Sequence, residues 1–136
     1  MERPINHDQL LLQQPAQPAS KQDLLIGQDL QDTLSAHRQE CVGMAANMIG
    51  INKAIIIVSA GPLDLLMFNP TIVAHSQPYQ TKEGCLSLPG ERPVTRYQTI
   101  TVDFTNTQWQ QQQQTFTGLI AEIIQHEVDH LHGILI

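Results

Sequence analysis

The chain of 136 residues has no cluster of basic side chains, no apolar run of membrane-spanning length and only two cysteines. Its seven lysines and arginines are scattered from Arg3 to Arg96, and thirteen acidic residues bring the formal net charge to -6. An acidic chain without a basic patch is a poor partner for phosphate backbones, so direct nucleic-acid binding is not expected. A membrane-spanning helix needs about 20 mostly apolar residues in a row. Neither the opening MERPINHDQ nor any later stretch supplies them, and no secretory signal is expected before Pro4. With so few cysteines a disulfide scaffold is excluded, and a reducing cytoplasm is the expected location. The length and the 41% hydrophobic content suit a single domain over residues 1–136 with a modest core.

What the chain does have is concentrated in QHEVDHLHG at 125–133. His126 and His130 are four residues apart and therefore stand one above the other on a helix face, where both can grip one metal ion. Glu127 follows the first histidine and sets a carboxylate beside that ion, placed to take a proton from water. This is the chemistry of a metal-dependent hydrolase. The helix is supported by Leu119, Ile120, Ile123, Ile124, Val128 and Leu131 at helical spacing, with Thr117 as N-cap and Gly133 as stop.

Zinc proteases that use a helical HExxH commonly take a third ligand from downstream. Residues Leu131 to Ile136 offer no carboxylate or thiol, and His132 lies off the face of His126 and His130. The third ligand is then sought upstream. Cys85, in Glu83-Gly84-Cys85-Leu86-Ser87-Leu88-Pro89, is the best candidate, since a thiolate is a strong ligand for zinc or ferrous iron. His7, His37, His75 and His132 have no motif company and read as surface or structural histidines.

Periodicity sketches the rest. Residues 1–19, rich in Gln and Pro, read as an extended wrapping segment, and Ser20 with Asp23 reads as a capping box for a helix running to about Glu40. Strands are expected at 54–59, 65–68, 71–75, 79–83 and 99–104, with turns at 60–62 and 105–107. The glutamine run at 110–114 is expected to form a strand exposed on one face. The fold class is α+β, with antiparallel strands packed around a central metal-binding helix.

Three stretches together, CVGMAANMIG at 41–50, EGCLSLPG at 83–90 and QHEVDHLHG at 125–133, resemble the three signature motifs of the peptide deformylases. That resemblance implies the same α+β fold and removal of the formyl group from the N-terminal formylmethionine of nascent polypeptides. It implies Cys85, His126 and His130 as ligands of one divalent ion per chain, ferrous iron in the cell, with zinc or nickel as alternatives. Glu127 would accept a proton from the attacking water and pass it to the leaving amine, and the backbone N–H of Leu86 would bind the oxyanion. The backbones of Val42, Gly43 and Gly84 would hold the peptide as an added strand, and Leu119, Glu122 and Ile123 would line the methionine pocket. Glu83 and Arg92 match family positions near the site. The partner is the formylated N-terminus of a nascent chain, met in transient association with the ribosome.

The first motif departs from the family pattern. Met48 stands where the family has its oxyanion glutamine, next to Asn47, and Cys41 replaces a glycine. A thioether donates no hydrogen bond, and losing one oxyanion donor typically costs about 100- to 1,000-fold in rate. Rotation of Asn47 into the vacated role is one expectation. Reduced or altered activity is another, with a weak or inactive metal- and peptide-binding protein as the alternative function.

Overall fold

The computed structural model describes residues 1–85 and 87–134, with Leu88 described by its backbone alone. Five strands, β1 (Gly43–Ala45), β2 (Ile55–Ala60), β3 (Leu63–Cys85), β4 (Leu88–Thr105) and β5 (Gln111–Thr117), form one antiparallel sheet in sequential order. Three α-helices accompany it among the described residues: α1 (Gln9–Leu12), α2 (Leu24–Ala36) and α3 (Gly118–Leu131). None of them is long and apolar enough to cross a membrane.

β2 explains how the layers stack. Its run Ile55-Ile56-Ile57-Val58 is wholly buried, because alternate side chains serve opposite faces of the sheet. Ile56 and Val58 join Ile124 and Val128 of α3 in one core, whereas Ile55 and Ile57 join Leu30 and Leu34 of α2 and Phe68 in another. A strand covered on both faces needs no polar alternation, and burying each such isoleucine contributes roughly 1.5–3 kcal/mol. The metal-motif helix is thus clamped on one face of the sheet.

The strands expected at 65–68, 71–75 and 79–83 are one continuous strand, β3. Pro70, between two of the expected strands, falls in a register shift between Phe68 and Thr71, where Asn69 takes φ 53°. A bulge tolerates the missing proline N–H. A second shift lies between Ile72 and Ala74, and a third between Gly84 and Cys85 re-aims the chain as it enters the second motif. β4 begins at Leu88, well before the expected 99, and β1 was hidden inside the first motif.

The N-terminal segment wraps as expected, apart from the short α1. Ala16 N–H donates to Leu131 O at 2.8 Å, Gln17 bridges Lys53, and Ala19 is held on both sides by the Asn69 amide. Ser20 and Asp23 form their capping box, here on a 3-10 turn that leads into α2, and α2 ends at Ala36. Thr117 does occupy the N-cap of α3, but its hydroxyl makes no capping bond. Gly133 follows α3 with φ 77°, and an added Cβ would collide with the Gln13 carbonyl, so glycine is required there. The glutamine run enters β5 from Gln111 as expected of a strand, but Gln111 to Gln114 are all exposed, on both faces and not on one.

Candidate metal centre

α3 buries His126, Glu127 and His130 against the sheet, and the hairpin end of β3 brings Cys85 to meet them. One donor atom from each of Cys85, His126 and His130 lies within 4.8 Å of the others. The imidazole rings pack edge to face with centroids 4.4 Å apart. Each ring is oriented through Nδ1: His126 meets Glu83 Oε1 at 2.7 Å and His130 meets Glu127 Oε1 at 3.0 Å. Bonds at Nδ1 fix the orientation of both rings, the usual support of an imidazole metal ligand.

The charges fit a cation. Burial favours the neutral thiol of Cys85, but hydrogen bonds from His126 and His130 outweigh it and bring the thiol down to about 6. Burial also opposes charge on the histidines, yet bonds to Cys85 and Glu83 raise His126 to about 9. For His130 the charge of Glu127 and a bond to Cys85 overcome burial and raise it to about 11. A thiolate among protonated imidazoles is a ligand set whose protons a divalent ion replaces. The donor chemistry therefore fits a metal.

Glu83 is itself anchored. Arg96 Nε reaches both carboxylate oxygens at 3.0 and 3.1 Å, Arg96 Nη2 reaches Oε1 at 2.7 Å, and Arg96 Nη1 reaches Asp129 of the metal helix at 2.6 Å. Burial would raise the Glu83 pKa, but the bonds from His126 and Arg96 hold it well below the ordinary carboxylate range. Arg92, expected near the site, faces Glu83 in register, but its Nη2 bonds the Pro89 carbonyl instead. Gln125, like Arg96, carries no motif signal of its role. β5 pairs with β4 only from Thr99 onward, and beyond that edge Gln125 acts as a surrogate strand. It accepts from Tyr97 N–H and donates to Tyr97 O, both at 2.8 Å, locking α3 to the sheet.

A cleft of about 400 Å³ opens beside these groups. Val42, Gly43, Met48, Gly84, Cys85 and Glu127 line it, with Leu119, Glu122 and Ile123 of α3 on its wall. Gly43 is where strand and helix come closest: an added Cβ would lie 2.7 Å from Ile123 Cγ2 and 3.1 Å from Glu127 Oε2. Tyr79 donates to Glu122 at 3.0 Å, and burial together with the neighbouring Glu83 raises the Glu122 pKa. Cys41 donates its thiol to Gly43 O at 2.7 Å, and burial, with the Glu127 charge, pushes it up to about 12.

Met48 is 1% exposed, and its Sδ lies 4.0 Å from Cys85 Sγ. Asn47 does not take the glutamine's place. Its Nδ2 is spent on the His130 carbonyl at 2.8 Å, so it ties the first motif to the end of the metal helix. Leu86, expected to offer its N–H to the oxyanion, lies outside the described residues.

A family model described as polypeptide deformylase matches residues 4–136. The chain belongs to the polypeptide deformylase family. A peptide deformylase from Clostridium beijerinckii is 46% identical over 136 residues, covering all of both chains. Peptide deformylase 3 of Shewanella oneidensis is 34% identical, over 90% of this chain and 78% of its own. Among solved structures, the class I type b peptide deformylase of Acinetobacter baumannii bound to Met-Ala-Ser superposes with a TM-score of 0.89 at 30% identity, covering 99% of this chain and 97% of its own. The α+β deformylase fold, the Cys/His/His metal site and the assignment as a metallohydrolase follow. These likenesses lend no support to the reduced activity expected from Met48.

Proposed function

We propose that this single domain removes the formyl group from the N-terminal formylmethionine of nascent polypeptides in the cytoplasm, with Glu127 as its proton carrier. The observation that carries the reading is the convergence of Cys85, His126 and His130 with a buried Glu127 at the mouth of a peptide-sized cleft. Cys85, His126 and His130 would hold one divalent ion, ferrous iron in the cell with zinc or nickel able to replace it. Such an ion supplies Lewis acidity, making water a better nucleophile and polarising the formyl carbonyl.

The residues of the chain do the rest. Glu127 Oε1 is tethered to His130, while Oε2 faces the thin backbone at Gly43. From there the carboxylate takes a proton from the attacking water and returns it to the leaving amine nitrogen, giving formate and a free N-terminus. β1 is an edge strand of the sheet, so Val42 and Gly43 can pair with an extended peptide, with Gly84 across the cleft. Leu119 and Ile123 offer apolar surface to the methionine side chain. The Met-Ala-Ser complex of the Acinetobacter enzyme supports a peptide N-terminus as the occupant. Formate release from formyl-Met-Ala-Ser by anaerobically metal-loaded protein tests the proposal. No release with ferrous, nickel or zinc ions contradicts it.

A further inference from the structure

We infer that the thiol of Cys41 is a built-in cap on the strand edge that receives the peptide, so that a bound peptide must displace it and Cys41 sets substrate affinity. β1 is an edge of the sheet, and its pairing with β2 decides which of its peptide groups are open. Ser59 N–H donates to the Val42 carbonyl at 2.7 Å. By the alternation of an antiparallel pair, the N–H and C=O of Gly43, opposite Val58, then point away from β2. Cys41 and Gly43 both line the cleft on that side. The Gly43 carbonyl is the acceptor that an added strand would use.

That acceptor is already taken. Cys41 Sγ donates to it at 2.7 Å. Gly43 is buried, and a buried carbonyl needs a donor whether or not a peptide is present. Burial, with the charge of Glu127, pushes the Cys41 thiol up to about 12, so it keeps the proton that makes the bond. The next outward group along the strand, Ala45 N–H, meets Met48 Sδ at 3.5 Å. The free edge is thus closed by two sulfurs, each a weak partner that a peptide amide outcompetes. An incoming N–H replaces S–H···O by N–H···O at Gly43, and the released thiol keeps its proton.

This inference rests on the reading of β1 as the peptide edge, and its test reads binding before turnover. The chain has two cysteines, so with zinc on Cys85 the single S–H group left is that of Cys41. Its infrared S–H stretch, lowered by the bond to Gly43, should shift upward when Met-Ala-Ser is added to the zinc-loaded protein. Calorimetric affinity for Met-Ala-Ser should rise about 2- to 5-fold in Cys41→Ala, which releases the carbonyl. It should fall about 2-fold or more in Cys41→Ser, whose hydroxyl caps more strongly. With formyl-Met-Ala-Ser the same order should appear in KM more than in kcat. An S–H band that stays in place on peptide binding, or alanine and serine variants that bind alike, overturns the assignment. No binding of Met-Ala-Ser by any of the three proteins overturns it together with the reading of β1. Peptide binding without hydrolysis would contradict the proposed function and leave the cap standing.

Discussion

The carboxylate of Glu83 meets Nδ1 of His126 at 2.7 Å while the Arg96 guanidinium grips both its oxygens. A ligand histidine is thereby set in one tautomer and one orientation by a buried ion pair reaching back from the second motif. Removing such a partner typically weakens metal binding about 10- to 100-fold. Glu83→Gln should show that loss in chelator competition, with fold retained. Unchanged affinity would mean that α3 alone orients His126.

Arg96 carries a stability consequence as well. Its side chain is buried between Glu83 and Asp129, and truncation strands buried charge. Breaking a buried pair in this way costs about 3–5 kcal/mol. Urea unfolding of Arg96→Leu should show a loss in that range, whereas a loss below about 1 kcal/mol, the worth of an exposed pair, would contradict the burial argument.

The same ion pair sets a pH dependence. Because the folded pKa of Glu83 lies below its ordinary value of 4.5, its stabilisation is complete above that value and is lost as pH falls toward the folded pKa. Metal-free wild type should lose stability below about pH 4.5 more steeply than Glu83→Gln. Parallel curves would remove Glu83 as the cause.

Gly43 and Glu127 make the fourth prediction. A Cβ at position 43 would press on Ile123 Cγ2 at 2.7 Å and on Glu127 Oε2 at 3.1 Å. Overpacking of this kind costs about 1–3 kcal/mol, and here relief requires Ile123 to shift together with the adjoining Glu127 carboxylate. Gly43→Ala should lower kcat as well as stability. Full activity would show that Glu127 Oε2 need not stay near β1.

The two thiols should react differently. In metal-free protein Cys85, at about 6, is largely thiolate at neutral pH, whereas Cys41, at about 12, is not. Brief iodoacetamide treatment followed by peptide mass spectrometry should label Cys85, spare Cys41, and label neither once metal is bound. Preferential labelling of Cys41 would reverse the account of the site.

How much of this could be read from the chain depends on whether the signal is local. The metal helix was legible because helical spacing places His126, Glu127 and His130 together, and Cys85 because a thiol was the one suitable donor in a glycine-flanked motif. The glutamine strand was legible from its place between Trp109 and Phe116. What stayed hidden depended on register and on tertiary contact. Pro70 masked the continuity of β3 because only the bulge makes a proline tolerable there. Arg96 could not be told from Arg92, because in register Arg92 faces Glu83 and Arg96 faces Tyr79, yet it is Arg96 whose guanidinium reaches Glu83. Asn47 was expected to be a spare donor, and its bond to the His130 carbonyl becomes visible only when the first motif meets the end of α3.

The central claim is that Glu127 carries the proton for hydrolysis at an intact Cys/His/His site. It is tested most directly by comparing wild type and Glu127→Ala, each loaded anaerobically with one equivalent of the same ion, for formate release from a formyl-Met peptide. The account predicts equal metal content and a rate about 100- to 10,000-fold lower in Glu127→Ala. Equal rates in the two proteins, or a wild type as inactive as the variant, would contradict it.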